Sequence, residues 1–233
     1  MKKIIFLGLL TLMGIGFLSY KTTMSLFSNT GQSTNNTFTA SELFPTATPS
    51  ASPTPVPVNP GDIVINEINW VGSDLTGQTG QDDEWLELRN TTSNSINLAG
   101  WKITGAVIGD GDLNISSGII PANGFFLISN FNETTSRINI APDLVTTAIQ
   151  LDNANAQYIL KDSGNNIIDT ADDDSGVALA GTNGPPKRSM ERKTPAGDGT
   201  QGANWQNSNA HTNMDGSGST DEFGTPKDVN SSP

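Results

Sequence analysis

From Asp62 onward, apolar and polar positions alternate in short runs that never settle into a helical period. The runs are IVINEINW (63–70), EWLELRN (84–90), SINL (95–98), WKIT (101–104), GFFLISN (124–130), LVTTAIQL (144–151), AQYILKD (156–162) and NIIDTAD (166–172). Alternation of period two over so few residues predicts half-buried strands. Turn residues separate them: PANGFF sets Pro121 and Gly124 ahead of a strand, and KDSGNNII sets Gly164 between two apolar runs, as a hairpin requires. Roughly seven to nine short strands with this punctuation predict an antiparallel β-sandwich. The stretch from 61 to about 205 is long enough for one core of that kind. No repeat of solenoid period occurs in it.

The first sixty residues follow other patterns. Lys2 and Lys3 precede IIFLGLLTLMGIGFL (4–18), which is apolar on every face. A basic start before an apolar stretch marks a signal peptide or an uncleaved membrane anchor over residues 1–21. Extended through Tyr20, the stretch reaches the roughly 17-residue floor for a spanning helix. LSYKTTMSLF carries no Ala-x-Ala cleavage site, which favours the anchor. The lysines would then stay inside and the rest be exported. Residues 22–60 are rich in Thr, Ser, Asn and Pro, and six of the 13 prolines fall between Pro45 and Pro60. Such a segment buries too little apolar surface to order itself. Its proline density makes it an extended, semi-rigid spacer, and Ser and Thr beside Pro are positions where O-linked sugar is found.

Composition narrows the function classes. All four tryptophans (Trp70, Trp85, Trp101, Trp205) lie after residue 60, which places the core there. The formal net charge is −12. That excess of acid argues against nucleic acid as a partner, since neutralising phosphates needs surplus Lys and Arg. The chain has no cysteine, so disulfides, thiolate zinc sites, a thiol nucleophile and a lipid-modified cysteine are excluded.

Several acids sit inside the apolar runs. Strict alternation places Glu84, Leu86 and Leu88 on one face and Trp85, Glu87 and Arg89 on the other. It places Ile63, Ile65, Glu67 and Asn69 opposite Val64, Asn66, Ile68 and Trp70. Neither strand has a wholly polar side, so both are expected to be covered on two faces. A carboxylate in such a place must be paired or accept several hydrogen bonds. Arg89 and backbone N–H groups at loop ends are the expected partners, which makes Glu67, Glu84, Glu87 and Arg89 architectural.

IVINEINW, DEWLELRN, INLAGWKIT, IIPANGFFLIS and YILKDSGNNIIDT, in that order, resemble the lamin-tail domain over about residues 61–171. That family occurs in nuclear lamins and in many secreted or surface proteins of bacteria. The resemblance implies an immunoglobulin-like antiparallel β-sandwich, here over residues 61–208 and followed by a flexible polar tail, 209–233. SMERK, Trp205 and FGTPKDVN are similar to the trailing segment of bacterial members. GSDLTGQTGQDD (72–83) is a long insert and GAVIGDGDLNISSG (105–118) is loose, which affects loop contacts rather than the fold. In LAGW, Gly100 suits positive φ or a close backbone approach, and Trp101 reads as core. Trp85 stands between core and exposed binding aromatic. Trp205 reads as a plug closing the sandwich end, with sugar stacking as the alternative.

Catalytic sets are hard to assemble. A glycosidase needs two carboxylates in a cleft, and these lie within strands. A serine triad would need His211, the only histidine, in a polar stretch. No catalytic residue and no cofactor is therefore assigned. Calcium is the one metal with candidate ligands: Asp110, Asp112 and Asn114 in DGDLN, Asp172, Asp173 and Asp174 in DDD, and Asp215, Ser217, Ser219 and Asp221 in DGSGSTDE. The first departs from the EF-hand loop, with Ile115 at position six and Pro121 at position twelve. Turns use the same residues without metal. The basic group Lys187, Arg188, Arg192 and Lys193 is expected to pair within the protein or face the envelope; contact with chromatin, known of lamin tails, does not transfer with a fold. The expectation is a non-enzymatic module, membrane-anchored with an extracytoplasmic domain or secreted, that binds a surface protein or glycan. The alternative is a calcium-dependent extracellular hydrolase or its accessory module.

Overall fold

The computed structural model describes residues 57–109, 111–216 and 222–232. The expected N-terminal apolar helix, and the expected linker as far as residue 56, lie outside them. Among the described residues no helix is long and apolar enough to cross a membrane. In chain order the strands are β1 (Ile63–Asn69), β2 (Trp85–Asn90), β3 (Ile96–Asn97), β4 (Trp101–Val107) and β5 (Gly111–Ile115). Next come β6 (Ile119–Ile120), β7 (Phe125–Ser129), β8 (Leu144–Val145), β9 (Tyr158–Lys161) and β10 (Ile167–Ala171). The last are β11 (Lys187–Arg188), β12 (Met190–Arg192), β13 (Trp205–Asn207) and β14 (Glu222–Phe223). One short α-helix, α1 (Gln78–Gln81), forms in the long insert between β1 and β2.

Two sheets face each other. The larger runs β13-β12-β1-β2-β7-β8 and the smaller β10-β9-β4-β5. Ile63, Ile65, Ile68, Leu86, Leu88, Phe126 and Ile128 of the larger meet Trp101, Ile103, Leu113, Tyr158, Leu160 and Ile168 of the smaller in one buried cluster. Each such aliphatic side chain contributes about 1.5–3 kcal/mol by leaving water. Among the described residues the regular structure is thus almost entirely β, in the two-layer arrangement that the alternation predicts. Two pairings are parallel, β7 with β8 and β11 with β14, against the expectation of an antiparallel body throughout. Both follow long connections, which parallel neighbours require.

β1 departs from strict alternation. Ile65 pairs with Leu88 and Glu67 with Glu87, so Asn66 is the extra residue of a β-bulge. The expected grouping of Glu67 with Ile63 and Ile65 is corrected by it. Ile63, Ile65, Ile68 and Trp70 all face the core, and Glu67 turns to the outer face beside Glu87. That outer face is covered as well. Trp85 and Leu127 pack there with Ile138 and Met214 in a second, smaller buried cluster.

What covers it includes the C-terminal stretch. Residues 209–233, expected as a flexible tail, are instead folded into the same unit as the sandwich wherever they are described. His211 bridges to Gly224, and Glu222, Thr225 and Ser231 are buried. Gly224 passes so close that a Cβ there would stand 3.0 Å from the Trp85 ring and 3.3 Å from Glu67 Oε1.

Candidate functional site

Three glutamates stand side by side on the outer face of the larger sheet. Glu67 pairs in register with Glu191 on β12 and with Glu87 on β2. All three are fully buried, and their oxygens are met by hydrogen-bond donors. Glu67 Oε1 accepts from Ser189 Oγ at 2.5 Å and from the Thr225 N–H at 2.9 Å. Thr225 Oγ1 lies 2.8 Å from Glu67 Oε2 and 3.0 Å from Glu191 Oε1. Glu191 Oε2 accepts from the Ser231 N–H, its hydroxyl and Gln206 Nε2. Glu87 accepts from Asn66 Nδ2 at 2.9 Å and from the Lys227 N–H at 2.5 Å. Burial first, and then the neighbouring Glu191, push the Glu67 carboxyl up to about 8. Burial and then Glu67 hold Glu87 well above the usual carboxylate range.

Arg89 is not the partner expected for Glu87. Its guanidinium donates to Thr194 Oγ1 at 3.3 Å and lies 5.7 Å from the Phe125 ring centroid. The lone pairs of Glu87 are taken by a bulge side chain and a backbone amide instead. The hydrogen-bond partners of the row are N–H and O–H groups, so the row is a seat for the chain segment above it.

Glu84 lies elsewhere. It stands just before β2 and is buried, with Oε2 accepting the Leu151 N–H at 2.8 Å. Burial is the main cause pushing its carboxyl up to about 8. It opens onto a hollow of about 400 Å³, lined also by Trp70, Val71, Gln81, Asn153, Asn183 and Lys187. The Trp70 indole N–H is held by the Ala180 carbonyl at 3.0 Å and the Lys187 ammonium by the Val71 carbonyl at 2.6 Å. Asn153 and Asn183 are exposed at its rim. The hollow therefore offers one carboxyl, one ammonium, three amides and an indole edge around a space the size of small-ligand sites.

The family model for the Lamin Tail Domain matches residues 57–174. The chain belongs to the lamin tail domain family. No curated protein matches its sequence. The lamin tail match ends at Asp174, yet β12 and β13 continue the larger sheet beyond β1. Glu191 and the segment seated on the glutamate row thus come from outside the matched lamin tail region. Within it, Gly100 has φ +81° and Trp101 is buried in the main core.

The remaining candidates disperse over this lamin tail body. Asp112 is engaged by Lys102 Nζ at 2.8 Å and Thr104 Oγ1 at 2.7 Å, and Asn114 Nδ2 donates to the Asp112 carbonyl. Asp110, Ser217, Ser219 and Asp221 lie outside the described residues. Asp172 Oδ1 accepts the Asp173 N–H and Asp173 Oδ1 accepts from Ser175, while Asp174 sits at φ +60° in a bend. Among the described residues no three His, Asp or Glu side chains are grouped to hold a metal ion. The four basic residues are all engaged internally: Lys187 by Val71, Arg188 by the Ser208 carbonyl, Arg192 by Asp169 at 2.7 Å, and Lys193 by the Ala203 carbonyl. Trp205 is buried beneath Arg192, its indole N–H on the Gly199 carbonyl. Alternation gave no sign of Glu191, Thr225, Lys227 or Ser231 in the row. The signal for Glu191 was SMERK, a short run with an acid between Met190 and Arg192.

Proposed function

We propose that this lamin tail protein is a non-enzymatic display module that binds a glycan in the hollow beside Glu84. An N-terminal membrane segment and a Pro-rich spacer carry the sandwich outside the cell. The observation that carries this reading is the division of labour among the acids. Glu67, Glu87 and Glu191 are used up by structural donors, whereas Glu84 lines a space with amides, an ammonium and an indole around it. Hydroxyl-rich rings need such mixed donors and acceptors, and an aromatic edge supplies the apolar contact. A flat protein epitope would leave a recess of that kind unfilled.

The test is titration of the full-length protein against a panel of neutral oligosaccharides, with Asn153→Ala and Asn183→Ala as variants. Both residues are exposed at the rim, so neither substitution disturbs the core. Saturable binding weakened by about tenfold in each variant, the size of one lost hydrogen bond to ligand, is expected. Absence of binding across the panel, or binding that both variants retain, contradicts the proposed site. Turnover of any glycan by the purified protein contradicts the non-enzymatic reading.

A further inference from the structure

One hydroxyl on the outer face serves two carboxyl groups. Thr225 Oγ1 stands within hydrogen-bond distance of both Glu67 Oε2 and Glu191 Oε1. A hydroxyl has a single proton to donate, and an ionised carboxylate has none. If both acids were ionised, one of the two contacts would set lone pair against lone pair. Both contacts are made only when one carboxyl carries a proton and donates it to Oγ1. The other oxygens are poorer places for it, since Glu67 Oε1 is faced by the Thr225 N–H and Glu191 Oε2 by the Ser231 N–H and Gln206 Nε2, which can only donate. The groups around the bridge favour retention of this proton. Glu87 lies next in the row, and Lys227, the nearest cation on the covering segment, is paired with Asp143 at 3.0 Å. Among the described residues none of the three glutamates forms an ion pair.

We infer that the proton shared through Thr225 latches residues 222–232 over the glutamate row, and that losing it releases this segment and bares three carboxylates in register. At its start the segment is tied by the β11–β14 pairing, by backbone bonds of Phe223 and Gly224, by Arg188 over the Phe223 ring and by His211 Nδ1, 2.7 Å from the Glu222 carbonyl; over the row itself it is held by the Lys227 N–H on Glu87 and by Asn230 Nδ2 on the Asn66 and Arg192 carbonyls. Glu222, at its start, accepts the Asp74 N–H at 3.0 Å and stands 3.7 Å from Arg137; burial pushes its carboxyl up to about 8 as well, so the Glu67→Gln variant is what assigns the response to the shared proton. Glu67 goes from about 8 when covered to an ordinary 4.5 in water. The closed state therefore holds a proton that the open state gives up between these values. Opening becomes more favourable by up to tenfold per pH unit across that window and levels off above it. The latch is closed in mild acid and loosest from about pH 8 upward. The inference does not depend on what the hollow binds.

Hydrogen exchange of the full-length protein, read by mass spectrometry at pH 5.5 and pH 8 and normalised to the intrinsic rate at each pH, tests it. Peptides covering 222–232 are expected to lose more than about tenfold of their protection between the two, while β4 and β9 keep theirs. Glu67→Gln copies the protonated acid, with its amide oxygen facing Ser189 and the Thr225 N–H and its NH2 facing Thr225 Oγ1. It is expected to hold the segment at both pH values, cutting the ratio by about tenfold. Thr225→Val, which removes the bridge, should leave the segment poorly protected even at pH 5.5. A wild-type ratio near one, an unchanged ratio in Glu67→Gln, or full protection in Thr225→Val overturns the inference. Protection in β4 and β9 shows in each case that the sandwich itself has folded.

Discussion

Glu67 and Glu87 are the same residue type, buried on the same face and in direct register, yet their surroundings set opposite rules for substitution. Glu67 meets a hydroxyl that is able to accept, so an amide fits in its place. Glu87 meets only donors, Asn66 Nδ2 and the Lys227 N–H. Glu87→Gln would turn an NH2 against one of them, leaving a buried donor unpaired at about 1–3 kcal/mol. Chemical denaturation at pH 8 should therefore find Glu87→Gln less stable than wild type and Glu67→Gln equal or more stable. The same surroundings set the pH response. Glu67 and Glu84 are raised to about 8 from 4.5 by burial. A folded state that binds protons more tightly than the unfolded chain is most stable below the unfolded pKa and loses stability as pH rises toward the folded one. The melting temperature is expected to fall between about pH 4.5 and pH 8. A rise across that interval would show these acids ionised in the fold.

At the scale of elements, the sandwich was largely legible and its irregularities were not. EWLELRN has no insertion, so counting by twos put Leu86 and Leu88 on one face and Trp85 and Glu87 on the other, which is the division between the two buried clusters. IVINEINW contains the bulge at Asn66. One extra residue reverses every later position, and nothing in a pattern of apolar letters marks where it falls. Deleting Asn66 would leave Ile65, Glu67 and Ile68 in plain alternation, with Glu67 still outward, but would remove the side chain that donates to Glu87 and to Asn230; that variant should fold with stability lowered by about 1–3 kcal/mol in chemical denaturation. The covering segment was illegible for a different reason. FGTPKDVNSS has no apolar alternation because its contacts are made by backbone N–H groups and small hydroxyls. Those are available in any sequence and advertise nothing. Position 105 gives a second test at this scale. Gly105 stands at φ +87° with Gln157 O 2.1 Å from where a Cβ would be. Gly105→Ala should lower stability by well over about 1 kcal/mol, since strain and clash add.

At the scale of the whole molecule, the proposed function requires the sandwich to be carried outside the cell on a spacer and a membrane segment, and its acids to serve as structural acceptors. A formal net charge of −12 favours solubility and disfavours contact with phosphate backbones. Calcium is expected to leave the melting temperature unchanged between chelator and millimolar addition, because a metal bound only by the native state must raise it. The claim on which the rest turns is that the strand glutamates build the fold and do no chemistry. The most direct measurement is the melting temperature of Glu87→Ala beside wild type at pH 6. Two buried donors lose their acceptor there, and a cost of about 2–3 kcal/mol corresponds to a drop of roughly 4–10 °C in a domain of this size. An unchanged melting temperature would mean that Glu87 is not a structural acceptor, and the account would be contradicted.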